Sequence, residues 1–117
     1  MSLKEYTTQL IFYLNNPKFS KKLVKCTHTV EHNSNVCGDW VILQANIEDG
    51  LIRDLGYEQS GCSFNIAILE IYCDYLVGKQ ISEISQLSST LISDKFPFPK
   101  QKIHCIELAL DIFKKLI

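Results

Sequence analysis

The stretch Val41-Ile42-Leu43-Gln44-Ala45-Asn46-Ile47-Glu48-Asp49-Gly50-Leu51-Ile52-Arg53-Asp54-Leu55-Gly56-Tyr57 decides the fold class. Val41, Leu43, Ala45 and Ile47 recur at every second position, the period of a strand with one buried face. Asp49-Gly50 then supplies residues that tolerate positive φ, which a two-residue hairpin needs, and Leu51 to Tyr57 returns as the partner strand.

Working outward, Leu23 to Val30 also alternates, with Val24, Cys26, His28 and Val30 on one side, and predicts a further strand. Between it and Val41 lies a polar loop, His32-Asn33-Ser34-Asn35, leading into Val36-Cys37-Gly38-Asp39. Further upstream Leu3, Tyr6, Leu10, Tyr13 and Leu14 have helical spacing, ended by Asn15-Asn16-Pro17. Downstream the period changes at Gly61-Cys62-Ser63: Phe64, Ala67, Ile68, Ile71, Tyr72 and Tyr75 predict a helix with Gly78 as its C-terminal cap. A short helical stretch follows around Ile81 to Leu91, the prolines of Phe96-Pro97-Phe98-Pro99 interrupt it, and Ile106, Ala109, Phe113 and Leu116 mark a last helix. Helix, three strands, then helices is an α+β order, with the helices packed on one face of an antiparallel sheet.

The 117 residues suit one domain over 1–117, and 46% hydrophobic with 21% charged residues is a globular composition. Twelve basic and thirteen acidic residues leave a formal charge of -1, which argues against nucleic-acid or anionic-membrane partners. No apolar run reaches spanning length, and the polar start Met1-Ser2-Leu3-Lys4-Glu5 resembles neither a signal peptide nor an Arg-rich presequence, so the chain as it stands reads as cytoplasmic. Five cysteines, an odd number, predict reduced thiols that are packed, reactive or metal-bound.

Cys37 lies in an inter-strand loop, Cys62 at a strand-to-helix junction and Cys105 near the start of a helix. Helix N-termini favour a thiolate, the form that binds metal and attacks sulfur. Gly38 and Gly61 allow close backbone approach, and Asp39 and His104 add an oxygen and a nitrogen donor. Three thiolates with one N or O donor suit zinc or a 2Fe-2S cluster equally. Cys26, on a strand face, and Cys73, inside an apolar helix, are assigned to packing, and His28 and His32 to surface or capping roles.

Together Cys37-Gly38-Asp39, Gly61-Cys62-Ser63 and His104-Cys105, with Cys62 and Cys105 43 residues apart, resemble the IscU-type family of iron-sulfur cluster scaffolds, related to the N-terminal domain of NifU. Asn16-Pro17, the hairpin Asp49-Gly50-Leu51-Ile52-Arg53-Asp54, Gly78-Lys79 and Lys102-Ile103-His104-Cys105 before Leu108-Ala109 extend the likeness over almost the whole chain. The resemblance implies a SufE/NifU-like fold and a scaffold or carrier rather than an enzyme. It further implies a transient 2Fe-2S cluster built from iron on Cys37, Cys62 and Cys105, with Asp39 and His104 alternating in the fourth position. Cys105 would accept persulfide sulfur from a cysteine desulfurase. A ferredoxin or frataxin-like protein and apo iron-sulfur recipients are the other implied partners, and zinc could occupy the resting site. The related SufU-type proteins, zinc-bound sulfur acceptors, are the rival reading; the 43-residue spacing and His104 favour the cluster scaffold. A purely structural zinc domain is a third.

Three features depart from the family pattern. The proline usual before the first motif is absent from Asn33-Ser34-Asn35-Val36, and Ser63-Phe64-Asn65-Ile66 replaces an alanine- and serine-rich helix start. Phe98-Pro99-Lys100-Gln101-Lys102 stands where the family has the segment engaging an Hsp70-type chaperone, so chaperone-assisted release is not implied.

Overall fold

The computed structural model describes residues 11–33, 40–60, 63–93 and 103–117. Residues 11–15 are helical (α1), and Asn16-Pro17 ends them as expected. Three antiparallel strands follow in the order β1-β2-β3: β1 (His28–Asn33), β2 (Trp40–Glu48) and β3 (Leu51–Ser60). Then come α2 (Ser63–Leu76), a 3-10 segment (Ile81–Gln86), the single-turn α3 (Thr90–Ser93) and α4 (Ile103–Lys114). No helix among the described residues is long and apolar enough to cross a membrane.

The β2–β3 hairpin turns on Asp49 (φ 53°) and Gly50 (φ 75°), both left-handed, the geometry that matches the twist of the flanking strands. A register shift between Asn46 and Ile47 pairs Asn46 with Asp54 but Ile47 with Ile52, leaving Arg53 as the extra residue of a bulge. That insertion lets Ile52 and Leu55, three positions apart, both lie in the core. Val41, Leu43 and Ala45 of β2 join them there, as the alternation predicts.

Helix α2 is buried along most of its length and packs on β3 and α4; Tyr72 meets Phe113 of α4 edge-to-face at 5.8 Å and donates its hydroxyl to the Ser88 carbonyl at 2.8 Å. Burial pushes the Tyr72 phenol up to about 12. Gly78 (φ 88°) closes the helix and donates its N–H to the Ile52 carbonyl at 2.8 Å, while Ile52 N–H reaches Lys79 O, tying the helix end to the hairpin.

The expected strand Leu23–Val30 is corrected: β1 begins only at His28 and runs on through His32 and Asn33, which pair with Val41 and Trp40 rather than forming a loop. Residues 18–27 instead cross the outer face of the sheet. Phe19 O accepts from Tyr57 N–H at 2.9 Å at the edge of β3, Leu23 N–H donates to the Gln44 side chain at 2.9 Å, and Thr27 N–H reaches Ala45 O at 2.9 Å. Val24 consequently faces solvent, and Cys26 is half-exposed, its Sγ 3.0 Å from His28 O and 3.2 Å from Thr29 Oγ1, rather than packed on a strand face. The Ile81–Leu91 stretch is likewise a 3-10 segment and the start of α3 instead of one helix.

The crossing is possible because position 56 is glycine. A β-carbon there would stand 2.5 Å from the Lys21 carbonyl oxygen and 3.2 Å from Leu23. Gly56→Ala is expected to lower stability by about 1–3 kcal/mol, the usual range for an overpacked site, read from the midpoint of urea unfolding.

Candidate metal centre

The last rung of the sheet joins Asn33, Trp40 and Ser60, and adjacent strands lie about 4.8 Å apart. Both segments that carry Cys37-Gly38-Asp39 and Gly61-Cys62 therefore leave from this one end of the sheet. Cys37, Asp39 and Cys62 themselves lie outside the described residues, as does Phe98-Pro99-Lys100-Gln101-Lys102.

His104 and Cys105 are described, and both sit in the first turn of α4. Cys105, Ile106, Leu108, Ala109, Ile112 and Phe113 form the buried stripe of this helix, so packing fixes its rotation. Its far end is held by Lys115, whose ammonium donates to the Glu31 carbonyl at 2.8 Å beside His32. Held in this way, the helix places Cys105 Sγ 3.6 Å from His104 Nε2. A tetrahedral ion bound to sulfur at about 2.3 Å and to imidazole nitrogen at about 2.0–2.1 Å separates those donors by about 3.5 Å. The two side chains share a thiol–imidazole hydrogen bond at this distance, and the same separation fits two ligands of one tetrahedral ion. Among the described residues no group of three His, Cys, Asp or Glu converges, so a complete site needs donors beyond this pair.

The other two described cysteines differ from Cys105. Cys73 is fully buried in α2, and burial, reinforced by Glu70, pushes its thiol well up, in keeping with packing. Cys26 is the most accessible of the three, whereas Cys105 is 1% exposed. Of these three, iodoacetamide labelling of metal-free protein, followed by peptide mass mapping, is expected to modify Cys26 fastest, Cys105 at least about tenfold more slowly and Cys73 only on unfolding.

One residue at this end was not singled out from the sequence. Trp40, the only tryptophan, is 36% exposed on the last rung and directly follows Asp39. Its adjacency to a candidate ligand was the available signal.

A three-stranded antiparallel sheet with helices packed against it defines a class of small α+β domains. Two solved structures share it: a putative iron-sulfur cluster assembly scaffold protein for the SUF system from Fervidobacterium islandicum (TM-score 0.78, 18% identity, 98% of each chain) and the N-terminal part of a NifU-like protein from Brucella abortus (TM-score 0.78, 14% identity, 97% of this chain and 92% of that one). Residues 5–117 match the model of the NifU-like N terminal domain, and the chain belongs to that family. Among curated relatives, it is 28% identical to the iron-sulfur cluster assembly scaffold protein IscU of Haemophilus influenzae, over 96% of this chain and 92% of that protein. It is also 28% identical to the mitochondrial iron sulfur cluster assembly protein 1 of Yarrowia lipolytica, over 100% of this chain and 67% of that protein.

Proposed function

We propose that this chain is a scaffold on which an iron-sulfur cluster is assembled and from which it passes to acceptor proteins. The observation that carries the reading is the Cys105–His104 pair at ligand spacing in the first turn of α4, in a chain whose curated relatives are named scaffold proteins. The cluster is cargo, of the 2Fe-2S type, held by Cys37, Cys62 and Cys105 with Asp39 or His104 as the fourth donor. A carboxylate or imidazole can be protonated or displaced more readily than a thiolate, which suits a site that must release what it builds.

Sulfur arrives from a cysteine desulfurase. The Cys105 thiolate attacks the outer sulfur of the donor's persulfide, a new sulfur-sulfur bond forms at Cys105, and the donor cysteine leaves as its thiolate. Two electrons, delivered one at a time by a ferredoxin-like reductant, and a proton from water then release hydrosulfide and restore the Cys105 thiolate. Because Cys105 is 1% exposed, delivery requires the covering of this thiol to open. Zinc meets the Sγ–Nε2 distance equally well, so reconstitution has to separate the scaffold from the SufU-type zinc-bound acceptor.

The test is anaerobic reconstitution of metal-stripped protein with ferrous iron, cysteine, reductant and a desulfurase. Sulfide-to-iron absorption bands are expected, together with quenching of Trp40 fluorescence by energy transfer and onward transfer to apo-ferredoxin. Zinc-dependent stimulation of the desulfurase without these bands would replace the scaffold by the zinc-bound acceptor.

A further inference from the structure

The crossing segment carries Lys18, Lys21, Lys22 and Lys25, four of the twelve basic residues of a chain with net charge -1. Its backbone is pinned at both flanks. Lys18 and Phe19 N–H donate to Glu70 at 2.8 and 3.0 Å, Leu23 N–H to Gln44, and Thr27 N–H to Ala45. Phe19 and Leu23 turn inward, leaving Val24 fully exposed (107%) between Lys22 and Lys25. An isolated solvated valine is ordinary; one presented by a fixed backbone among cations is a recognition element.

Between this segment and the sheet lies an open cleft of about 330 Å³, lined by Lys21, Lys22, Val24, Lys25, Asn46 and Asp54. The Asn46 Oδ1 atom there is shielded from solvent and has no hydrogen-bond partner. Lys21 pairs with Asp54 at 3.3 Å and Lys25 with Glu48 at 2.7 Å, with every one of these side chains at least 41% exposed, so incoming carboxylates can exchange with them at little cost. Lys18 and Lys22 have no carboxylate partner among the described residues.

We propose that residues 18–25 and the adjoining cleft dock an acidic, partly apolar segment of a partner protein. Its carboxylates would pair with Lys18, Lys22 and the exchangeable Lys21 and Lys25, and an apolar side chain would cover Val24. A protein segment fits better than a nucleic acid, because the patch exposes the apolar Val24 while its one ring, Phe19, is buried, leaving no aromatic face on which a base could stack. A bilayer fits less well again, since Val24 is the one large apolar side chain that the patch exposes. Asn46 lies six residues along β2 from Trp40, about 20 Å at strand rise, so an occupant here leaves the metal centre free. The inference stands independently of what that centre binds.

The experiment titrates ¹⁵N-labelled full-length chain with the peptide acetyl-Glu-Leu-Asp-Glu-Leu-Glu-Asp-Leu-amide. Parallel titrations use its Gln/Asn counterpart, a ten-nucleotide oligothymidylate and phosphatidylglycerol vesicles. Salt-sensitive shifts confined to residues 18–25 and 46 are expected with the acidic peptide, with Trp40 and Cys105 unmoved. Affinity should fall at least about tenfold in the Lys22→Glu, Val24→Ser double variant, whose folding is checked by circular dichroism. Absence of shifts, shifts centred elsewhere, equal affinity in the folded variant, or tighter binding of the oligonucleotide or vesicles would overturn the proposal.

Discussion

Cys105→Ala is expected to abolish cluster assembly while leaving the fold in place. Cys105 Sγ is the only thiolate of the candidate centre whose position is described, and it combines two proposed duties, receiving sulfur and holding the cluster. Among the described residues no third metal-binding donor converges on the Cys105–His104 pair. Loss of occupancy should exceed about 100-fold, beyond the roughly 10–100-fold typical of residues that merely orient a ligand. Alanine keeps the β-carbon in the α4 stripe, so the stability cost should stay near 1–2 kcal/mol, as for other small core truncations. Two comparisons give the result its meaning. His104→Ala should weaken the cluster by only about tenfold if Asp39 takes the fourth position, and Cys73→Ala, which removes a thiol from the α2 core, should leave assembly intact. Absorption after reconstitution reads all three. Full assembly by a folded Cys105→Ala protein would remove the proposed centre from the head of α4.

The largest stability effect is expected at Glu70. Its carboxylate is 3% exposed and accepts three hydrogen bonds, from Lys18 N–H at 2.8 Å, Phe19 N–H at 3.0 Å and the Tyr57 hydroxyl at 2.8 Å. Burial first, and Glu70 second, push the Tyr57 phenol up, so its proton stays available as a donor throughout the working range. Glu70→Ala leaves two backbone N–H groups and a phenol without an acceptor in the interior and should cost about 3–5 kcal/mol. In thermal unfolding that corresponds to a fall of roughly 10–20 °C. Glu70→Gln keeps one acceptor and should lose about half as much, and Tyr57→Phe about 1–2 kcal/mol. Equal stabilities in the series would mean that the crossing segment is held by its apolar contacts alone.

Glu70 also marks the limit of what the sequence discloses. The hairpin was legible because alternation from Val41 to Ile47 and the Asp49-Gly50 turn are local signals that tertiary packing reinforces. Helix α2 was legible from its period, but the acid within Ile66–Ile71 went unremarked, although a carboxylate in an apolar run must find donors somewhere. Two of its three donors lie 51 and 52 residues away, a pairing that no local pattern encodes. The alternation of Val24, Cys26 and His28 misled for the converse reason: a crossing segment that buries Phe19 and Leu23 can imitate a strand. His32 and Asn33 read as a loop because an edge strand tolerates polar residues on both sides. At the candidate centre, the adjacency of His104 and Cys105 was visible in the chain, whereas their 3.6 Å convergence depends on how packing rotates α4.

The Phe19 carbonyl has a second effect besides anchoring the crossing segment. In a sheet ordered β1-β2-β3, the outer side of β3 would offer bare N–H and C=O groups to the strand of another molecule, the usual route to edge-to-edge polymerisation. Phe19 occupies the Tyr57 N–H there, and on the opposite border the Lys115 ammonium occupies the Glu31 carbonyl. Both borders are thereby blunted at these positions, which disfavours the pairing of a second copy's strand there.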